Sequence, residues 1–226
     1  MSTFVLIHGG GDVGWSWHLV AAELVARGHE VFAPDLPAGD DSLTLEDYAD
    51  AVVAEVGARR DVVVLGHSFG AFTAPLVAER LSADLLVLAA GMIPAPGEPP
   101  ERWWSESGYL AAAEAQAAID GGLTGNEDPY VSFYNGVPRE LADEALRQER
   151  AHPSSAAMEV PWPLRVWPDV PTRVIVFADD RFFPPRFLRD LARERLGVVA
   201  DEVPGGHCAM LSRPTEIAEM LVGYLD

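Results

Sequence analysis

Asp61-Val62-Val63-Val64-Leu65-Gly66-His67-Ser68-Phe69-Gly70-Ala71 decides how this chain folds. A β-branched apolar run stops at a glycine, turns over three residues, and restarts with helical spacing through Phe72, Leu76 and Val77. The turn reads G-x-S-x-G. On a sharp strand-to-helix bend Ser68 would take up strained backbone, tolerated only if Gly66 and Gly70 let neighbouring segments come close. Its hydroxyl would then stand clear of the sheet. The following helix would aim its free N–H groups and positive dipole end at any negative charge developing beside it. Glycine and serine also make ordinary turns, so the flanking strand and helix patterns are what favour a nucleophile here.

Working outward, Thr3-Phe4-Val5-Leu6-Ile7 is a short apolar run suited to a buried parallel strand, and it ends in His8-Gly9-Gly10-Gly11. Trp15, Leu19, Ala22, Leu24 and Val25 then mark a helix closed by Gly28, followed by a strand over Val31-Phe32-Ala33. Leu43 to Val56 has a helical period after a Ser/Thr-rich start. Beyond the serine helix, Asp84 to Ala89 is another buried strand. The sheet resumes with Arg173 to Ala178, a helix through Leu188, Leu191 and Leu196, and a last strand over Val198 to Val203. Ser212 is placed to cap the final helix, with Pro214 in its first turn. Strands alternating with helices predict a mostly parallel, doubly wound α/β sheet of six strands.

Residues 92–171 break that rhythm. Prolines at 94, 96, 99 and 100 and at 161, 163, 168 and 171 bracket two helical stretches, Ser107 to Ala118 and Pro138 to Ala151. Many of the aromatics lie here. This segment reads as a helical cap inserted over the carboxyl edge of the sheet, within a single domain spanning 1–226. Trp104, Tyr134 and Trp162 are the aromatics expected to line a substrate pocket, while the others pack the insertion onto the core.

The chain has 226 residues and a formal net charge of -19, and all 16 of its Lys+Arg residues are arginine. Such a surface repels nucleic acid and anionic membranes, which leaves a small-molecule substrate as the expected partner. The single cysteine, Cys208, excludes an internal disulfide, and no Cys/His spacing suggests a metal site. The first residues lack the basic start of a secretory leader, and no stretch approaches a membrane span. A cytoplasmic monomer or homodimer without cofactor is expected.

A serine hydroxyl is a poor nucleophile at neutral pH. It needs an imidazole to take its proton and a carboxylate to hold that imidazole in the right tautomer. His207, after the last strand and Pro204-Gly205-Gly206, is the base expected for Ser68, and Asp179 and Asp180 compete for the acid. The order serine, acid, histidine is that of an α/β-hydrolase, and each residue follows a strand at the edge where such sheets bind ligands. His67 should point into the sheet side of its turn, His8 should brace the glycine loop, and His18, His29 and His152 read as surface or packing residues. Acyl transfer also needs donors for an oxyanion: the N–H of Phe69 supplies one, and Gly10 is the choice for the other. Gly9-Gly10-Gly11 does not continue into a phosphate-loop pattern.

The sequence resembles the α/β-hydrolase branch that holds plant methyl-ester esterases, hydroxynitrile lyases and bacterial esterase-like proteins. The resemblance rests on His8-Gly9-Gly10 with Gly14-Trp15-Ser16-Trp17, Pro34-Asp35-Leu36-Pro37, Gly66-His67-Ser68-Phe69-Gly70, Asp180 ahead of Phe183-Pro184, and Gly205-Gly206-His207 with Met210-Leu211-Ser212-Arg213-Pro214. It implies Asp180 as the acid and Gly10 and Phe69 as the oxyanion donors. The lyases of this branch use a lysine near the histidine, where Cys208 stands here, and the plant esterases carry an aspartate where Gly206 stands. The expectation is therefore a serine hydrolase that cleaves a small apolar carboxylic ester through an acyl-serine. A carbon–carbon lyase of the hydroxynitrile type and a non-catalytic binding protein are the alternatives.

Overall fold

The central strands consist of residues whose side chains favour a pleated, desolvated surface, and they assemble around the serine strand. In the computed structural model, which describes residues 1–225, six parallel strands form one sheet in the order β2-β1-β3-β4-β5-β6. The strands are β1 (Thr3–Ile7), β2 (Glu30–Phe32), β3 (Val62–His67), β4 (Leu85–Ala89), β5 (Thr172–Phe177) and β6 (Asp201–Val203). Every residue of β1, β3 and β4 is buried, as continuous apolar runs covered on both faces require. Register brings Ile7 beside Gly66, His67 beside Ala89, and Ala89 beside Ile175. The carboxyl ends of the four central strands therefore stop at one level, and the loops that follow them meet there.

Helices flank the sheet. Helix α1 (His18–Ala26) packs on α11 (Pro214–Gly223), and α2 (Leu45–Val56) packs on α3 (Gly70–Leu81), which lies against β3. Helix α2 begins with a reciprocal cap in which the Thr44 N–H donates to Asp47 Oδ2 at 2.8 Å and the Asp47 N–H donates to Thr44 Oγ1 at 3.4 Å. Helix α9 (Pro185–Leu196) starts with proline in its first turn and closes on Gly197 in the left-handed region.

Three boundaries differ from the sequence reading. The last strand is shorter, starting at Asp201, because Val198 leaves α9 in a turn whose N–H donates to the Ala192 carbonyl. Ser212 does not cap α11: it ends the short helix α10 (Ala209–Ser212), its hydroxyl has no partner, and Pro214 itself begins α11 behind Arg213. Between β4 and β5 the chain forms five helices rather than two: α4 (Pro100–Glu106), α5 (Tyr109–Asp120), α6 (Pro129–Ser132), α7 (Arg139–Gln148) and α8 (Ser155–Glu159). Three of these five are seven residues or shorter, too few turns to show a period in sequence.

This insertion is tied down at named points. Arg195 on α9 makes two bonds to the Glu98 carboxylate, at 2.5 and 3.0 Å, and one to the Ile93 carbonyl at 2.7 Å. Trp103 donates its indole N–H to the Ile93 carbonyl at 3.0 Å, and Trp162 donates to the Phe72 carbonyl at 2.9 Å. Among the described residues no helix is long and apolar enough to cross a membrane.

Candidate active site

Ser68 sits between β3 and α3 with φ 49°, the left-handed region that a serine occupies only under constraint. The constraint is visible on both sides. Its N–H donates to the Ala89 carbonyl at 3.2 Å, and its own carbonyl accepts from the Met92 N–H at 3.0 Å. A Cβ on Gly66 would stand 2.6 Å from the Ala74 side chain, and one on Gly70 would stand 2.4 Å from the His8 carbonyl oxygen. Only glycine allows this bend to close.

The glycine loop after β1 crosses directly over it. A Cβ on Gly10 would lie 3.5 Å from the Phe69 Cβ, so the Gly10 and Phe69 backbones are neighbours on one side of Ser68. Neither N–H has a protein acceptor among the described residues. Both are free to donate beside Ser68, with the amino end of the twelve-residue α3 behind them. The loop is braced by His8: the Leu36 N–H donates to Nε2 at 2.9 Å, which leaves Nδ1–H to donate to the Gly9 carbonyl at 2.8 Å. Burial lowers the pKa of His8, consistent with the neutral ring these two bonds require.

His207 and Asp180 are both buried, and His207 Nδ1–H donates to Asp180 Oδ2 at 2.8 Å. Asp180 Oδ1 accepts the N–H groups of Phe182 and Phe183 at 2.8 and 2.9 Å, which fixes the carboxylate plane. Asp179 is turned away: its Oδ2 accepts the Gly205 N–H at 3.1 Å and holds the histidine loop. His207 and Ser68 face the same cavity, and with Nδ1 committed to Asp180 the ring has Nε2 left for the hydroxyl. No hydrogen bond joins the two among the described residues, a contact that in such sites often tightens only with substrate.

Two residues escaped the sequence reading. The His67 ring does turn inward, edge-on to Trp17, but it also lies 4.7 Å from the His207 ring and donates Nε2–H to the His207 carbonyl at 3.0 Å. That bond spans 140 positions of sequence, so nothing local signals it. His67 is thus a strut beneath His207. Asp12, at the exit of the glycine loop, faces the cavity near His207; burial raises its carboxyl to about 7, and the Glu149 charge adds to the rise.

The space around Ser68 has two lobes. One, of about 300 Å³, is lined by His207, Asp12, Glu149, Tyr134 and Cys208; the other, of about 340 Å³, by Phe69, Met92, Trp104, Pro153, Met158 and Phe182. Ser68, Gly10, Phe133 and His152 line both. His152 is exposed, as its reading as a surface residue has it, and it also borders both lobes, which the sequence did not signal. Trp104 lines the apolar lobe and Tyr134 the acidic one. Trp162 lines neither: it is 1% exposed, tilted against the Trp167 ring and bonded to the Phe72 carbonyl, so it wedges the insertion against α3. The indole is buried because its one polar atom finds that carbonyl. Burial, with the Asp12, Asp180 and Glu149 charges, pushes the Cys208 thiol well up, so it is no nucleophile. No group of three His, Cys, Asp or Glu residues among those described is arranged to hold a metal ion.

This architecture, with a serine on a strand-to-helix bend and an aspartate-bound histidine at the same sheet edge, is that of a hydrolase. The profile of the alpha/beta hydrolase family matches residues 4–220, and the chain belongs to that family. Over 98% of its length it is 28% identical to the carbendazim hydrolyzing esterase of Nocardioides sp. (strain SG-4G), covering 98% of that protein. It is 27% identical to the polyneuridine aldehyde esterase of Rauvolfia serpentina, covering 99% of this chain and 95% of the relative. A crystal structure of polyneuridine aldehyde esterase superposes over the whole of both chains with a TM-score of 0.81 at 22% identity, which establishes the shared fold.

Proposed function

We propose that this hydrolase is a serine carboxylesterase acting on small esters with an apolar acyl group. The observation that carries the reading is the His207–Asp180 pair, whose free ring nitrogen shares a cavity with Ser68 beside the unpartnered Gly10 and Phe69 N–H groups. Esterases among the relatives support it.

In the reaction, Ser68 Oγ attacks the ester carbonyl while His207 Nε2 takes the hydroxyl proton. The carbonyl oxygen becomes an oxyanion held by the two N–H groups; donors of this kind are each worth roughly 3 kcal/mol in a transition state. Asp180 holds His207 in the tautomer that can accept and stabilises the imidazolium. Collapse breaks the bond to the leaving oxygen, which takes the proton from Nε2 and departs as the alcohol. Water then attacks the acyl-Ser68, again giving its proton to Nε2, and the collapse of the second oxyanion returns that proton to Ser68 and frees the carboxylic acid. Apart from that water, the groups named are side chains and backbone of the chain itself.

The test is stoichiometric. A fluorophosphonate probe should label Ser68, found by peptide mapping, and p-nitrophenyl butyrate should show a burst followed by turnover. Ser68→Ala should abolish both. Turnover that survives in Ser68→Ala, or substrate cleavage in the wild type with no acyl-serine trapped, would remove the esterase reading and favour acid–base lyase chemistry on the same residues.

A further inference from the structure

We propose that Tyr48, a residue of α2 that lines neither lobe of the cavity, is a positioning residue for the reaction: through Ser154 and Pro153 it holds the Gly10 N–H in place beside Ser68. This rests on the esterase reading, in which that N–H is one of two oxyanion donors, and adds to it a residue that acts from outside the site. The need for such a residue arises in the loop itself. Gly9-Gly10-Gly11 has no side chains with which to fix its own backbone, and glycine loses more freedom on ordering than any other residue. An oxyanion donor works by being in place before the charge forms. The restraint must therefore come from elsewhere in the fold.

His8 holds the start of the loop, and residues 150–153, between α7 and α8, hold the rest. The Arg150 N–H donates to the Gly11 carbonyl at 2.9 Å, the only backbone hydrogen bond these four residues make among those described. A Cβ on Gly10 would stand 3.2 Å from Pro153 Cδ and 3.5 Å from the Phe69 Cβ, so the proline ring and Phe69 crowd the bare face of Gly10. That contact fixes the loop only if Pro153 is itself fixed. Tyr48 does this: it is 1% exposed, and its hydroxyl accepts the Ser154 N–H at 2.9 Å and donates to Ser154 Oγ at 2.8 Å. The N–H belongs to the peptide joining Pro153 to Ser154, so the bond sets the orientation of a proline whose φ its ring already locks. The Ser154 hydroxyl donates in turn to the Leu43 carbonyl and accepts the Ala157 N–H at 3.2 Å as the cap of α8. Ser155 adds its N–H to Asp41 Oδ1 at 2.7 Å. Residues 150–153 are thus anchored at Ser154 to α2 and the loop before it, and without the phenol hydroxyl the buried Ser154 N–H loses its partner and the peptide is free to turn. Pro153 then withdraws from Gly10.

The experiment uses Tyr48→Phe, which keeps the ring and deletes both bonds, with sites counted by fluorophosphonate titration so that misfolded protein does not enter the rate. Per titrated site, kcat/KM for p-nitrophenyl butyrate should fall roughly tenfold, less than the hundredfold or more that outright loss of an oxyanion donor costs. Two readouts separate positioning from a mere loss of stability. The inhibition constant of propyl trifluoromethyl ketone, whose adduct with Ser68 carries the oxyanion, should rise by the same factor, while binding of p-nitrophenyl butyrate to Ser68→Ala should change by less than about twofold when Tyr48→Phe is added. Ser154→Ala, which deletes the other hydroxyl, serves where Tyr48→Phe folds poorly and should move these quantities in the same direction; the double variant should fall well short of the product of the two losses, because both break one junction. Unchanged kcat/KM per site in both variants, or equal weakening of the ketone and the ester, overturns the inference, while wild-type turnover and Ser68 labelling leave the esterase reading standing. If the wild type turns over no ester and the fluorophosphonate leaves Ser68 unlabelled, the esterase reading fails and this inference falls with it.

Discussion

Replacing Asp180 with asparagine should leave the fold in place and remove about four orders of magnitude from kcat/KM, for a reason the hydrogen bonds dictate. The asparagine amide has one oxygen, and two claims compete for it. On one side stand the Phe182 and Phe183 N–H groups, now 2.8 and 2.9 Å from Oδ1; on the other stands the His207 ring, 2.8 Å from Oδ2. Turning the amide nitrogen toward the backbone would strand two buried donors at roughly 1–3 kcal/mol each. Turning it toward the histidine strands nothing, because the ring can shift its proton from Nδ1 to Nε2 and accept from the amide instead. The oxygen therefore stays with the backbone, and His207 is driven into the tautomer whose Nε2 already carries a proton and cannot take one from Ser68. A loss of about 10⁴-fold, equivalent to ~5 kcal/mol of transition-state stabilisation, follows for a base locked in the wrong tautomer. The assay is p-nitrophenyl butyrate turnover with nitrogen NMR of the labelled imidazole to read the tautomer. Asp179→Asn is the control, since the Asp179 carboxylate accepts from the Gly205 N–H and makes no bond to His207. Activity within tenfold of wild type in Asp180→Asn, or a larger loss in Asp179→Asn, would refute the assignment.

Four further outcomes follow from the same geometry. Ser68→Gly should raise Tm while abolishing turnover, because glycine relieves a φ of 49° worth ~1 kcal/mol, or about 2–4 °C in scanning calorimetry for a chain of this size. Glu98→Ala should lower stability by about 3 kcal/mol in urea melts, since it strips the largely buried Arg195 of its two carboxylate bonds and frees one end of the insertion. Gly206→Ala should cost roughly a hundredfold in kcat/KM with little change in far-UV dichroism: its Cβ would stand 2.3 Å from Asn135 Oδ1 and 2.6 Å from the Asn135 carbonyl oxygen, pushing the His207 loop off its position. Asp12 ionises near 7 in the folded chain and at its ordinary low value when unfolded, so stability should fall as pH rises from about 4 to 7 and then level off. Asp12→Asn should remove that slope and raise Tm at pH 8 but not at pH 4.

The sheet was legible because its central strands are desolvated on both faces, which forces runs such as Val62-Val63-Val64-Leu65 and Leu85-Leu86-Val87-Leu88 that no surface element needs. Ser68, Asp180 and His207 were legible for a related reason: each follows a strand, and parallel strands in register bring such residues to one edge whatever the sequence between them. The insertion was not legible in the same way. Three of its helices are short, and the burial of Trp162 depends on the Phe72 carbonyl its indole meets across the fold, while Trp104 lines the cavity packed edge-on against Tyr109 and Phe182. The same holds for His67, His152 and Asp12. Each acquires its role from partners contributed by other loops, and Gly9-Gly10-Gly11-Asp12 read in isolation gives no sign that its last residue faces the histidine.

Strain and desolvation are not spread evenly over the molecule. Of the four non-glycine residues with positive φ among those described, Asp61 and Ser82 flank turns at the amino edge, where their types tolerate the left-handed region. Ser68 and Ala90 lie at the carboxyl edge, at the ends of neighbouring strands, and alanine has no side-chain bond to offset its φ of 44°. The two are connected. Ala90 donates its N–H to the Ile175 carbonyl, and the turn through it brings the Met92 N–H onto the Ser68 carbonyl. One strained residue thus holds the other in place. Beside them stand the donorless Nδ1 of His67 and a carboxylate at position 12 that the fold discourages from ionising. An ordinary turn or packed loop would have no cause to keep all four within reach of one hydroxyl. Their concentration at Ser68 is what a site maintained against local stability looks like, and it explains why Ser68→Gly, a substitution expected to stabilise this chain, is the one expected to abolish its chemistry.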